Sequence, residues 1–188
     1  MARLTIEAWA NQLSYASLMR EFSARLRALL RLPIDLDWVT ESLAVGGAFL
    51  SSDARRLRGL GITAVVDCRD ECGDDANVLA EQGIELLRLS APDRCEFPEP
   101  ALDDGVMWVQ ERLRHGKVLL HCARGVGRSP LLACCVLVAE GFTSHDAFAL
   151  VTKQRLAALL SARQLAGLRR FAARAGGRSA PQETVEVA

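Results

Sequence analysis

The chain reads as an α/β fold, a mostly parallel central sheet of four to five strands flanked by helices, and three observations point there. Short apolar runs at 64–67, 85–89 and 117–120 have strand character, and helix-forming stretches alternate with them, notably 131–140, which is apolar and free of breakers. Alternation of this kind builds parallel sheets through right-handed crossovers. With 188 residues and a hydrophobic share of 50%, the chain supports one generous core and not two.

In chain order, residues 4–32 come first. Trp9, Leu13, Ala16, Met19, Phe22, Leu26, Leu29 and Leu30 recur at three-to-four spacing with arginines between them, the pattern of an amphipathic helix. Glu7 and Glu21 interrupt its basic face, so it is read as packing on its own domain rather than on a membrane surface. Its apolar stretches are too short and too charged to span a bilayer. A domain over residues 33–172 follows. Within it, Asp103 and Asp104 suit the N-terminal end of a helix, His115 and Gly116 suit a helix C-terminus, and Thr143 with Asp146 forms a capping-box variant at another helix start. Residues 173–188 lose periodicity and are read as a disordered tail.

The junction of the 117–120 run with the 131–140 helix carries the chemistry. His121-Cys122-Ala123-Arg124-Gly125-Val126-Gly127-Arg128-Ser129 sets a cysteine and an arginine around two glycines at a helix start. There the first amides lack intrahelical partners and the macrodipole is positive, so an anion is favoured. Gly125 and Gly127 let the successive amides of Ala123, Arg124, Gly125, Val126, Gly127 and Arg128 converge into a nest for a tetrahedral oxyanion. Arg128 offers a planar fork for two phosphate oxygens. The same field favours Cys122 as thiolate, a nucleophile, and Ser129 can donate its hydroxyl to that sulfur.

This string resembles the His-Cys-x-x-Gly-x-x-Arg-Ser signature of cysteine-based protein tyrosine phosphatases, and the small size resembles their dual-specificity branch. Residues 38–47, 57–61 and 62–67 look like that branch's entry of two short strands, a helix and the first parallel strand; Ala147, Val151 and Arg155 look like its later helices. The resemblance implies hydrolysis of phosphate monoesters through a phosphocysteine, with no metal or cofactor. Cys122 is then the nucleophile, Arg128 and the loop amides hold the phosphoryl group, and Ser129 assists breakdown of the intermediate. His121 orients the loop through hydrogen bonds. Asp93 sits where the branch carries its general acid, with Glu96, Asp103 and Asp104 as nearby carboxylates. A shallow pocket is expected, admitting phosphotyrosine, phosphoserine and phosphothreonine on proteins. The alternatives are a phosphoinositide or another small phosphate ester, or a non-catalytic phosphate-binding module, against which intact Cys122, Arg128 and Asp93 argue. Arg124 adds charge that suits a phosphoinositide, whereas Ala123 and Val126 are not basic. Rhodanese-type sulfurtransferases typically carry a loop one residue shorter, and low-molecular-weight phosphatases place the acid after the cysteine.

Composition narrows the setting. Lys and Arg together number 23 and Asp and Glu 23, so no basic excess points to nucleic acid. Six cysteines in a chain with no recognisable signal peptide, one of which must stay reduced to act, suit the cytoplasm. Cys134 and Cys135 fall in the apolar helix and read as core, while Cys72 and Cys95 read as loop residues without zinc spacing. Cys68 resembles the family's backdoor partner that traps an oxidised nucleophile as a disulfide, although an ordinary buried cysteine is the preferred reading.

Overall fold

The computed structural model describes residues 33–176. The helix expected over 4–32 therefore lies outside the described residues, as do residues 177–188. Five strands form one sheet in the order β1-β2-β5-β3-β4: β1 (Leu36–Trp38), β2 (Leu43–Gly46), β3 (Ile62–Arg69), β4 (Glu85–Ala91) and β5 (Lys117–His121). Only β1, at the edge, is antiparallel to its neighbour. A 3-10 turn (Ser51–Asp53) leads into α1 (Ala54–Gly59). The other helices are α2 (Ala76–Glu81), α3 (Glu99–Leu113), α4 (Arg128–Ala139), α5 (Ser144–Gln154) and α6 (Ala162–Gly176).

Strand alternation sorts side chains between two faces. Val118 and Leu120 of β5, Ala64, Val66 and Cys68 of β3, and Leu43 and Val45 of β2 turn toward the large core shared with α3, α4, α5 and α6. Leu119, Val65 and Ala44 turn the other way, where Ala54 and Leu57 of α1 and Leu79 of α2 cover them. Residues Val118 to Leu120 are wholly buried because β5 has neighbours on both edges and helices on both faces. Helix α4 is buried along nearly its whole length, which explains an apolar stretch without amphipathic relief. Truncating Leu131, Leu132 or Leu137 to alanine there should cost about 2–5 kcal/mol.

Two expectations change at element ends. Helix α3 begins at Glu99 after Pro98, with Pro100 in its first turn, where a missing N–H costs nothing. Asp103 and Asp104 consequently sit a turn inside the helix, and Asp103 accepts from Arg174 at 3.0 Å. Helix α6 continues to Gly176, past the boundary expected at 172, because Ala172 and Ala175 still pack on the core and Arg174 pairs with Glu99 and Asp103 of α3. Helix α2 was not foreseen; Asp75 caps it by accepting from the amides of Asn77 and Val78. The Thr143 cap is as expected, accepting from the Asp146 amide at 3.1 Å.

Candidate active site

Register delivers the loop. In the centre of the sheet, His121 at the end of β5 lies opposite Gly46 of β2 and Asp67 of β3. The chain then leaves the sheet at Cys122, turns through Gly125 at φ 65°, and enters α4 at Arg128. A side chain at Gly125 would meet the Gly46 carbonyl at 2.7 Å and Arg155 at 2.6 Å, so the position needs glycine for both conformation and space.

Cys122 is 3% exposed at the floor of this loop. Burial opposes its thiolate, but the Ser129 hydroxyl, 3.3 Å from Sγ, outweighs it together with the amides of Ser129 and Arg124 and the charge of Arg128. The result is a thiol pulled down to about 7. The cysteines inside α4 go the opposite way, burial pushing Cys134 up to about 12 and Cys135 well above the ordinary thiol value. Cys68 is also wholly buried, inside β3 rather than at its end, and burial and the charge of Cys122 push it well above the ordinary thiol value.

Arg128 is buried and fully engaged at its tip. Nη1 donates to Glu71 Oε2 at 2.6 Å and to the Ala91 carbonyl at 3.0 Å, and Nη2 donates to Glu71 Oε1 at 3.0 Å. Its Nε has no partner among the described residues. Burial works against the Glu71 carboxylate, yet the hydrogen bonds from Arg128 dominate and hold it down at about 2. Asp93 is brought to the same place: its Oδ1 lies 3.7 Å from Arg128 Nη2, with a side chain 68% exposed. The rival carboxylates are elsewhere. Glu96 pairs with Arg170 and packs against Gly167, and Asp103 faces Arg174.

His121 departs from expectation. It holds no hydrogen bond to the phosphate loop; its Nε2 pairs with Asp74 Oδ2 at 2.7 Å, its Nδ1 is unpartnered among the described residues, and its ring meets Phe49. Asp74 in turn pairs with Arg69, which also grips Asp67 in bidentate fashion at 2.7 and 2.9 Å. Asp67, Asp74 and His121 bring their donor atoms within 4.8 Å of one another, the closest approach to a metal centre among the described residues. Arg69 already occupies both carboxylates, so the group is an ion-paired network beneath the loop rather than an open donor set.

Two supports escaped the sequence reading in their roles. Arg155, just past α5, donates to the carbonyls of Arg124 at 2.9 Å and Gly125 at 3.2 Å, and to Asp35 and Asp37 at 2.7 and 2.9 Å. It clamps the outside of the phosphate loop to the edge strand. Gln164 and Ser161, at the start of α6, hold the acid loop: Ser161 Oγ donates to the Arg94 carbonyl at 2.7 Å and Gln164 Nε2 to the Cys95 carbonyl at 3.1 Å. Gln164 also closes on Gly127, where a Cβ would sit 2.9 Å from its amide. Glu71 carried a weak signal, as an acid at the carboxyl end of a parallel strand, where sites form. Arg155 was visible only as part of the resemblance and not in its clamping role, and Gln164 carried no signal, since their partners lie far away in sequence.

Comparison with known proteins agrees with this geometry. Residues 46–174 match the family model described as dual specificity phosphatase, catalytic domain. Mouse (Mus musculus) protein tyrosine phosphatase type IVA 2 is 28% identical over 127 residues, spanning 66% of this chain and 75% of that protein. Among solved structures, Tk-PTP in its active form superposes with a TM-score of 0.70 at 23% identity, covering 74% of this chain and 97% of the other. PTPMT1 in complex with PI(5)P gives 0.67 at 21% identity, covering 76% and 97%. The family-model match over residues 46–174, more than half of the chain, makes this protein a member of the dual specificity phosphatase family of cysteine-based phosphatases.

Proposed function

We propose that this chain hydrolyses phosphate monoesters through a phosphocysteine at Cys122. The observation that carries the reading is the low-lying thiol of Cys122 beneath the loop amides, 3.3 Å from the Ser129 hydroxyl and under the charge of Arg128. The phosphate oxygens are taken by the amides of residues 123–128 and by Arg128, whose unpartnered Nε supplies a donor. The Cys122 thiolate attacks phosphorus, the ester bond breaks, and Asp93 gives its proton to the leaving oxygen. Asp93, then a carboxylate, takes a proton from water as the water oxygen attacks phosphorus. Ser129 Oγ donates to Sγ as the thiolate leaves. The site requires a reduced thiol, so a reducing compartment such as the cytoplasm suits it.

The loop stands at the surface, with Arg124 and Asp93 exposed and Ala123, Val126 and Gly127 half-buried, which favours a shallow, dual-specificity site for phosphotyrosine and phosphoserine or phosphothreonine. A phosphoinositide is the second reading, favoured by exposed Arg124 within the loop and by the likeness to PTPMT1 solved with PI(5)P. Cys68 is read as a packed core thiol, its raised pKa disfavouring the thiolate that disulfide chemistry uses. Release of p-nitrophenol from p-nitrophenyl phosphate by the wild type, lost in Cys122→Ser, is the expected result. Equal rates for the two would overturn the assignment. Phosphotyrosine peptides, phosphothreonine peptides and phosphoinositides compared side by side then rank the substrate classes.

A further inference from the structure

Two leucines stand in water at the lip of the phosphate loop. Leu156 is 90% exposed and Leu159 is 73% exposed, the two most exposed large apolar side chains among the described residues, and both lie in the same short segment between α5 and α6. That segment is fixed to the machinery on either side. Leu156 follows Arg155, the clamp on the Arg124 and Gly125 carbonyls; the Leu159 amide donates to the Val126 carbonyl at 2.8 Å; Ser161 donates to the Arg94 carbonyl beside Asp93. The two side chains therefore stand on the rim of the phosphate loop, where an extended surface carrying the phosphate would meet them.

Their shape and surroundings indicate the kind of surface that does so. A leucine 90% exposed projects with almost nothing packed around it, whereas a side-chain subsite for a peptide is concave and shields its walls. A projecting apolar tip suits a medium that deforms around it, such as the boundary between headgroups and acyl chains. Arg94 and Arg124 are exposed on the flanking loops and Arg163 at the start of α6, and none forms an ion pair among the described residues, while the neighbouring acids Asp35, Asp37 and Glu96 are taken by Arg155 and Arg170 and Asp93 leans toward Arg128. Unpaired arginines beside apolar tips complement an anionic lipid surface.

We infer that the Leu156–Leu159 segment docks the active site onto an anionic membrane surface, so that the phosphate monoesters this enzyme removes are carried by lipids. The inference rests on the phosphomonoesterase reading above and selects its lipid branch. The monoester oxygen stays with the lipid as a hydroxyl and the phosphate leaves through Cys122 as before.

The test uses the full chain and phosphatidylcholine vesicles containing about one-fifth phosphatidylserine. The double variant L156S/L159S should sediment with vesicles at least about tenfold less than wild type and hydrolyse vesicle-borne phosphatidylinositol phosphate correspondingly more slowly. Its hydrolysis of p-nitrophenyl phosphate and of a short-chain, soluble phosphatidylinositol phosphate should stay within about twofold of wild type. A second variant, Leu156→Trp, should keep docking, and brominated acyl chains should quench the added fluorescence. Unchanged sedimentation and vesicle turnover in the double variant would overturn the proposal, as would an unquenched tryptophan. So would an equal loss of activity on phosphopeptides without vesicles, which would assign the leucines to a protein partner. Wild-type chain that fails to hydrolyse p-nitrophenyl phosphate would instead sink the enzymatic reading, with sedimentation and quenching still deciding the docking surface.

Discussion

Glu71 holds Arg128 by both terminal nitrogens, at 2.6 and 3.0 Å, so the phosphate-binding guanidinium is aimed by a carboxylate from the loop after β3. A planar fork gripped on two points has one orientation, and Nε then faces its task without reorganisation. Glu71→Ala should lower kcat/KM on p-nitrophenyl phosphate by about 10- to 100-fold, because a misaimed donor loses transition-state contact. Arg128→Lys should cost more, about 10³-fold, since an ammonium cannot replace the fork. With Glu71 at about 2, this pair stays charged across the working pH range and neither variant should move the pH optimum through it.

Cys122 and Ser129 make a separable prediction. The Ser129 hydroxyl is the largest influence lowering the thiol, so Ser129→Ala should raise the midpoint of iodoacetamide alkylation above about 7. The sign follows directly: with a higher thiol pKa, less thiolate is present at neutral pH and alkylation there slows. Breakdown of the intermediate also loses its hydrogen-bond donor, so turnover should fall by about 100-fold and a burst of p-nitrophenol should precede it.

Asp93→Asn removes the proton donor while leaving the loop in place. The kcat/KM of the wild type should rise with pH as Cys122 ionises near 7. The variant should fall by about 10²- to 10⁴-fold on an alkyl phosphate, and less on p-nitrophenyl phosphate, whose leaving group needs little protonation. Equal losses on the two substrates would assign the acid elsewhere.

Arg155 and Gly125 test the shape of the loop without touching the reacting atoms. Arg155→Met leaves two loop carbonyls and two carboxylates without their donor; because Asp35 and Asp37 are partly exposed, the expected loss is about 2–3 kcal/mol in urea unfolding. Gly125→Ala forces a Cβ against the Gly46 backbone and should abolish vanadate binding while costing about 1–3 kcal/mol.

The sequence made the loop legible because its parts are contiguous. Cys122, Gly125, Arg128 and Ser129 lie within one strand-loop-helix unit, and local rules for helix starts and anion nests apply directly. Strands β3, β4 and β5 were visible for a similar reason, as apolar runs bounded by turns. What stayed hidden is held by distance. Arg155 meets Asp35 across 120 positions and Glu71 meets Arg128 across 57, and no periodicity reports such pairs. His121 shows the limit from the other side: its place before the nucleophile suggested a bond to the loop, while folding gave its ring to Asp74, 47 residues earlier. Asp103 has the charge of a helix start, but Pro98 at the cap and Pro100 in the first turn open α3 a turn earlier.

The chemistry turns on where the phosphoryl group rests between ester and water. Rapid acid quench during turnover, followed by peptide mass spectrometry, should find phosphate on the Cys122 sulfur and should find more of it in Ser129→Ala. Phosphate on any other side chain, or undiminished turnover with Cys122 replaced by serine, would contradict the mechanism.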